Sequence, residues 1–166
     1  MAPRRIDPAD IASALPPGGR TLIGACSGES LRLAEGVLRA GDALGAMTFT
    51  GIFVPGLNKY TYLANPHCRV ETFFLTPELK AAGDAVTFLP LCYGDILARL
   101  RKVPIDAALF MATPPDSRGI CGFGPIVDFL ADLWSKIPIR IVRSAMSNST
   151  VMASTGVAKT IMMLVA

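Results

Sequence analysis

Apolar runs and polar, glycine-bearing turns alternate along most of this chain, and the spacing of the apolar positions switches repeatedly between that of strands and that of helices. After a proline-rich opening that ends in Pro16-Pro17-Gly18-Gly19, the pattern predicts a short strand over 21–25. A helix follows. Ser27 is its expected N-cap, Glu29 suits the positive helix start, Leu31, Ala34 and Leu38 form the apolar stripe, and Gly41 ends it. A strand over 46–54 is interrupted at Gly51 and closed by Pro55-Gly56. A loop carrying Asn58, Tyr60, Tyr62 and Asn65-Pro66 leads to a β-prone run over 69–75. Thr76-Pro77-Glu78 opens a short helix with proline at its first position, and Gly83 closes it.

A brief strand over 86–89 precedes a helix over 93–102, with Ile96, Leu97 and Leu100 on one side and Pro104 beyond its end. The continuous apolar run 105–112 is what a strand buried on both faces requires. Past the glycine-rich loop 113–124, Ile126, Phe129, Leu130, Leu133, Trp134 and Ile137 recur at helical spacing, and a last strand is predicted over 139–142. Strands alternating with short helices indicate an α/β fold, a mostly parallel sheet with helices on both faces. The pattern dissolves after Arg143. Positions 144–155 are rich in Ser, Thr and Met without a period, so the expected division is one domain over 1–143 and a tail over 144–166 with no assigned place in the sheet.

Composition narrows the possibilities. Half the residues are apolar (51%) and only 17% are charged, with a mean hydropathy of +0.45. So little charge implies a large internal sheet or a surface that a partner covers. The net charge of +3 comes from scattered basic residues, which argues against nucleic acid. The four cysteines form no C-x-x-C pair and His67 is the only histidine, so no metal set is expected. The opening twenty residues lack the apolar core of a signal peptide, and the late apolar stretch is short for a membrane span and carries Lys159. A soluble, cytoplasmic protein with no membrane partner is expected.

Ligands of an open α/β sheet bind outside the carboxyl ends of its strands. Two segments fall there. In Gly24-Ala25-Cys26-Ser27-Gly28-Glu29, a helix start offers backbone N–H groups to a carboxylate, thioester oxygen or phosphate, or the turn is simply a well-capped helix. In the loop after the 105–112 strand, Pro114 and Pro115 stiffen the exit and Gly119, Gly122 and Gly124 permit close approach. Asp116 there is either a pocket residue or an Asx-turn bonded to its own backbone. Glu71 is a lone acid, Ser27 has no evident general base, and Cys26 would have a lowered thiol pKa if exposed beside a helix start. No G-x-G-x-x-G, phosphate-binding G-x-x-x-x-G-K-[ST] or G-x-S-x-G motif occurs.

At these two segments the chain resembles the acetyl-CoA hydrolase/transferase family, which includes 4-hydroxybutyrate, succinyl and acetate CoA-transferases. The matching pieces are Leu22-Ile23-Gly24 through Ser27-Gly28-Glu29, and Asp106-Ala107-Ala108 leading into Pro114-Pro115-Asp116-x-x-Gly119-x-Cys121, extended by Phe123-Gly124 and Val127-Asp128. The similarity runs over 15–141. It implies the amino-terminal domain of an enzyme of two similar α/β domains, with Ser27, Gly28, Glu29, Pro114, Pro115, Asp116 and Gly119 as substrate-binding residues. The implied substrates are an acyl-CoA thioester and a small carboxylic acid, with no bound cofactor. A glutamate of the carboxyl-terminal domain would attack the thioester, so no catalytic residue is expected in this chain. The resemblance further implies a homo-oligomer or a complementary carboxyl-terminal chain. The family's Asn-Pro-x-Met-Pro-type continuation is replaced here by Arg143-Ser144-Ala145-Met146-Ser147-Asn148, which is what a frameshift or truncation would leave. A non-catalytic anion-binding module and a heteromeric subunit are the alternatives.

Overall fold

The computed structural model describes residues 4–114, 117, 121–144 and 151–155. Eight strands form one sheet in the order β1-β8-β7-β6-β2-β3-β4-β5, where β1 is Arg4–Ile6, β2 Arg20–Ile23, β3 Thr48–Gly51, β4 Arg69–Thr72, β5 Val86–Phe88, β6 Ala107–Ala112, β7 Ile139–Ser144 and β8 Val151–Thr155. The six strands from β7 to β5 run parallel; β8 pairs antiparallel with both β7 and β1. The α/β, mostly parallel arrangement is the one the apolar pattern predicts. The exceptions are the two strands the pattern does not mark. β1 lies in the proline-rich opening and β8 in the unpatterned stretch after Arg143, and each is held by pairing with distant chain.

Four helices connect the parallel strands: α1 (Leu31–Ala40), α2 (Pro77–Ala81), α3 (Tyr93–Leu100) and α4 (Leu130–Leu133). Alternation along the strands sends successive side chains to opposite faces. Ala107, Leu109 and Ile141 join Leu33, Val37 and Leu79 of α1 and α2 in one core; Ala108, Phe110 and Val142 join Ile96, Leu100, Leu130 and Leu133 of α3 and α4 in the other. Helices therefore cover both faces, as a parallel sheet requires. The segment Pro8–Ser13, a 3-10 helix capped by Asp7, lies so close to α1 that a Cβ on Gly36 would come within 2.5 Å of the Pro8 carbonyl oxygen. Among the described residues no helix is long and apolar enough to cross a membrane.

Helix α4 is much shorter than the predicted 126–137. The backbone turns at Asp128, whose φ is +42, and regular helix begins only at Leu130, ending in a 3-10 turn over Trp134–Lys136. A left-handed residue interrupts a helix whatever the spacing of its apolar neighbours.

Glu71, an acid with no second carboxylate paired to it in the sequence, is held by two arginines. It is buried on β4, where its carboxylate takes both Nε and Nη2 of Arg99 from α3 and lies 3.3 Å from Nη1 of Arg20. This fork ties α3 to the sheet. Glu71→Ala should lower stability by about 2 kcal/mol, moderated by the partial exposure of both arginines, and urea denaturation should show a shifted midpoint at unchanged slope.

Candidate active-site crevice at the strand-order switch

Strands β3, β4 and β5 are laid down successively on one side of β2, while β6 and β7 lie on the other. The loops leaving β2 and β6 therefore diverge to opposite faces and open a crevice between them at the carboxyl end of the sheet. Both segments singled out in the sequence emerge there. Ser27 is exposed, Gly28 and Glu29 are buried, and Pro114, two residues beyond β6, is exposed. The two connections touch: a Cβ on Gly28 would come within 2.6 Å of Cγ2 of Ile126. Pro115, Asp116 and Gly119 lie outside the described residues, so neither reading of Asp116 is decided.

The β2–α1 turn differs from the predicted helix start. Cys26–Gly28 is a separate 3-10 turn, Cys26 has φ +50, and the N-cap of α1 is Ser30, whose Oγ accepts from the Leu33 N–H at 3.4 Å. Ser27 caps nothing. The reason is local: with Gly24 packed against Gly28 there is room only for a tight turn, and the chain must extend through Glu29 before the helix can begin. Four backbone N–H groups of this turn are also already engaged. Gly24 donates to the Leu109 carbonyl, Cys26 to Ile52, Gly28 to Ala25 and Glu29 to Cys26.

Glu29 is placed off the helix and inside the protein. Its Oε2 accepts from Nδ2 of Asn58 at 2.7 Å and its Oε1 from the Tyr62 hydroxyl at 2.7 Å. Asn58 Nδ2 also reaches the Cys26 carbonyl at 3.0 Å, and its Oδ1 accepts from the Val54 N–H at 2.8 Å. Tyr62, with φ +59, is fixed by Phe49 and Phe53, whose ring centroids lie 5.4 and 5.6 Å away. The β3–β4 loop is thus stitched to the β2–α1 turn through one carboxylate. Burial pushes the Glu29 carboxyl above its ordinary range, against the two hydrogen bonds, which pull it down; burial also pushes the Tyr62 phenol well up, helped by the Glu29 charge.

On the other wall, Oδ1 of Asp128 is buried without a hydrogen-bond partner, and burial raises the pKa of its carboxyl. The half-buried Cys26 thiol is pushed up by burial and by the Asp128 charge, and the Tyr93 phenol by burial, Asp128 and Cys26. Cys26 is therefore not the activated thiol that an exposed helix start would make. His67 cannot serve Ser27: it sits just before β4, at the amino end of the sheet, whereas Ser27 follows the carboxyl end of β2. In the sequence Asn58 and Tyr62 stand out only as loop residues and Asp128 only within the family resemblance, with no role at the site, and Tyr93 is not singled out. Their partners are far away in the chain, and no local spacing marks them.

No family model matches this chain in sequence, and no curated protein does. Solved structures do match in shape. RipA from Yersinia pestis superposes with a TM-score of 0.71 at 17% identity over 84% of this chain, which is 36% of the RipA chain. The 4-hydroxybutyrate CoA-transferase from Porphyromonas gingivalis superposes with a TM-score of 0.57 at 16% identity, over 89% of this chain and 36% of that one. The fold is CoA-transferase-like. The chain spans about a third of the length of these structural relatives.

Proposed function

We propose that this chain forms one wall of the active site of a CoA-transferase or acyl-CoA hydrolase, and that the attacking carboxylate comes from outside these residues, on a complementary carboxyl-terminal domain or chain. The observation that carries this is the surface around the crevice. All the large apolar side chains exposed among the described residues, Leu31, Leu57, Phe74, Phe88, Tyr93 and Val127, lie in segments at the carboxyl end of the parallel strands. A one-sided apolar rim around a ligand crevice is a surface built to be covered. Glu29, the buried acid of the β2 turn, is held by two donors and is 5% exposed, so it suits support of the wall better than attack on a thioester.

In the proposed reaction a glutamate carboxylate of the opposite wall attacks the acyl-CoA carbonyl and CoA thiolate leaves, forming an acyl–glutamyl anhydride. The thiolate then attacks the glutamyl carbonyl, releasing the first acid and leaving a glutamyl-CoA thioester for an acceptor acid or water. The Ser27–Glu29 turn and the loop from Pro114 through Gly119 would contact the acyl group. The bonds already made by the N–H groups of Gly24, Cys26, Gly28 and Glu29 weigh against the alternative of a stand-alone anion cradle.

The test is calorimetric titration of the purified chain with acetyl-CoA, CoA and acetate, alongside thioesterase and CoA-exchange assays. Binding of the thioester without turnover is expected. Robust turnover by the chain alone would show that it holds its own nucleophile, and silence with all three ligands would remove the thioester assignment.

A further inference from the structure

On the α4 face of the crevice a cavity of about 250 Å³ opens between the end of β6, the Cys121–Phe123 loop and α4. Its lining is Phe110, Ala112, Cys121, Phe123, Ala131 and Trp134, with the backbone of Gly122. Among the described residues no charged side chain lines it. The walls are held in place. Trp134 is met edge-on by Phe110 at 5.7 Å and by Phe123 at 5.2 Å, with interplanar angles of 82° and 85°. The Arg140 guanidinium sits 4.5 Å from the Trp134 ring centroid while its Nη2 donates to the Trp134 carbonyl at 2.7 Å. The loop is latched to the strand exit in both directions: the Thr113 N–H donates to the Gly122 carbonyl and the Gly122 N–H to Thr113 Oγ1, at 3.1 and 2.7 Å. Apolar walls supported in this way are preorganised for an apolar guest.

Volume decides what kind of guest. An apolar cavity of about 150 Å³ holds benzene. A methyl group would leave most of this one empty and its aromatic walls without contacts. An aryl ring, or a branched alkyl group of similar bulk, would fill it and take up edge-to-face contacts with the rings. We infer that this cavity receives the aryl or branched-alkyl body of a carboxylic acid or its thioester, so that the preferred acyl group is larger than acetyl. The identity of the guest as an acyl group rests on the proposed function; the cavity's preference for bulk does not.

Trp134 is the only tryptophan in the chain, so its fluorescence reports on this cavity alone. The purified chain is titrated with toluene, phenylacetate and acetate, and Cys121 alkylation by iodoacetamide is followed by peptide mass spectrometry with exposed Cys92 as the internal reference. Toluene and phenylacetate should give saturable changes in Trp134 emission and slow alkylation of Cys121 but not of Cys92. Phenylacetate should bind roughly 30-fold or more tightly than acetate, given about fourfold per buried methylene. Ala131→Phe, at an exposed position of α4, should fold normally and abolish both responses. If neither aromatic probe moves Trp134, or if acetate matches phenylacetate, the inference is wrong. Toluene needs neither CoA nor a second domain. A toluene response beside silence toward CoA thioesters and acids would uphold the cavity and remove the acyl assignment, and a thioester response without a toluene response would do the reverse.

Discussion

Glu29→Ala should cost about 3 kcal/mol of folding stability and lower the melting temperature by roughly 6–12 °C, the largest loss expected from any single side chain at the crevice. Truncation strands the Tyr62 hydroxyl, which is buried with Glu29 as its hydrogen-bond partner, and takes one of two acceptors from Asn58 Nδ2. It also leaves a void beside an aromatic stack that cannot collapse around Phe49 and Phe53. Glu29→Gln keeps the shape and a bond to each partner, and should cost about 1 kcal/mol or less at neutral pH. The two variants also separate by pH. The Glu29 carboxyl is raised in the folded protein, so between the ordinary glutamate value of 4.5 and its folded value the native chain holds a proton that the unfolded chain has released. Stability from this group is fully present below the unfolded value and is lost as pH rises through the folded one. Asp128, raised by burial, adds a slope of the same sign. Denaturant melts from acid to neutral pH should show the wild type losing more stability than Glu29→Gln across that window. Parallel curves would mean that Glu29 does not titrate as its burial requires.

The same carboxylate marks the limit of what could be read from the chain. Strand β6 was legible because burial on both faces demands a nearly continuous apolar run, and Ala107–Ala112 is such a run; β4 and the mostly exposed β5 were marked instead by β-prone residues between turn signals. Helix α2 was legible because Thr76 and Pro77 are a cap and a first turn in one step, and Thr76 Oγ1 does accept from the Leu79 N–H. Glu29 was found as a residue and misplaced as a group. Its position near a helix start suggested a charge favouring the dipole, whereas Gly24 and the 3-10 turn delay the helix and swing the carboxylate inward toward Asn58 and Tyr62. Those partners lie 29 and 33 positions along the chain, where apolar periodicity says nothing about polar pairing. The Asp128 bend was hidden for a related reason: the apolar positions flanking it keep helical spacing through a break in the backbone. β1 and β8 are held in the sheet by strand pairing rather than by an apolar run, which leaves no trace in a composition or a period.

Gly24→Ala should destabilise the chain by about 2–3 kcal/mol and loosen both walls of the crevice at once. A Cβ there would stand 2.6 Å from the Gly28 carbonyl oxygen, 2.9 Å from Phe110 Cβ and 3.1 Å from the Gly28 carbonyl carbon. None of the three can yield cheaply. Gly28 is held by its N–H bond to the Ala25 carbonyl and is itself against Ile126, while Phe110 is buried and packed on Trp134. Relief requires the turn to move outward, which strains the Gly24 bond to Leu109 and draws Glu29 away from Tyr62, or requires Phe110 to shift into the cavity. Thermal melts should therefore show the loss, and toluene binding read at Trp134 should weaken with it. Gly94→Ala is the matched control. Gly94 lies in α3 with nothing within 4 Å of its would-be Cβ, so alanine there should raise stability by a few tenths of a kcal/mol up to about 1 and leave toluene binding unchanged. Equal effects at the two glycines would mean that the close approach at Gly24 does not shape the crevice.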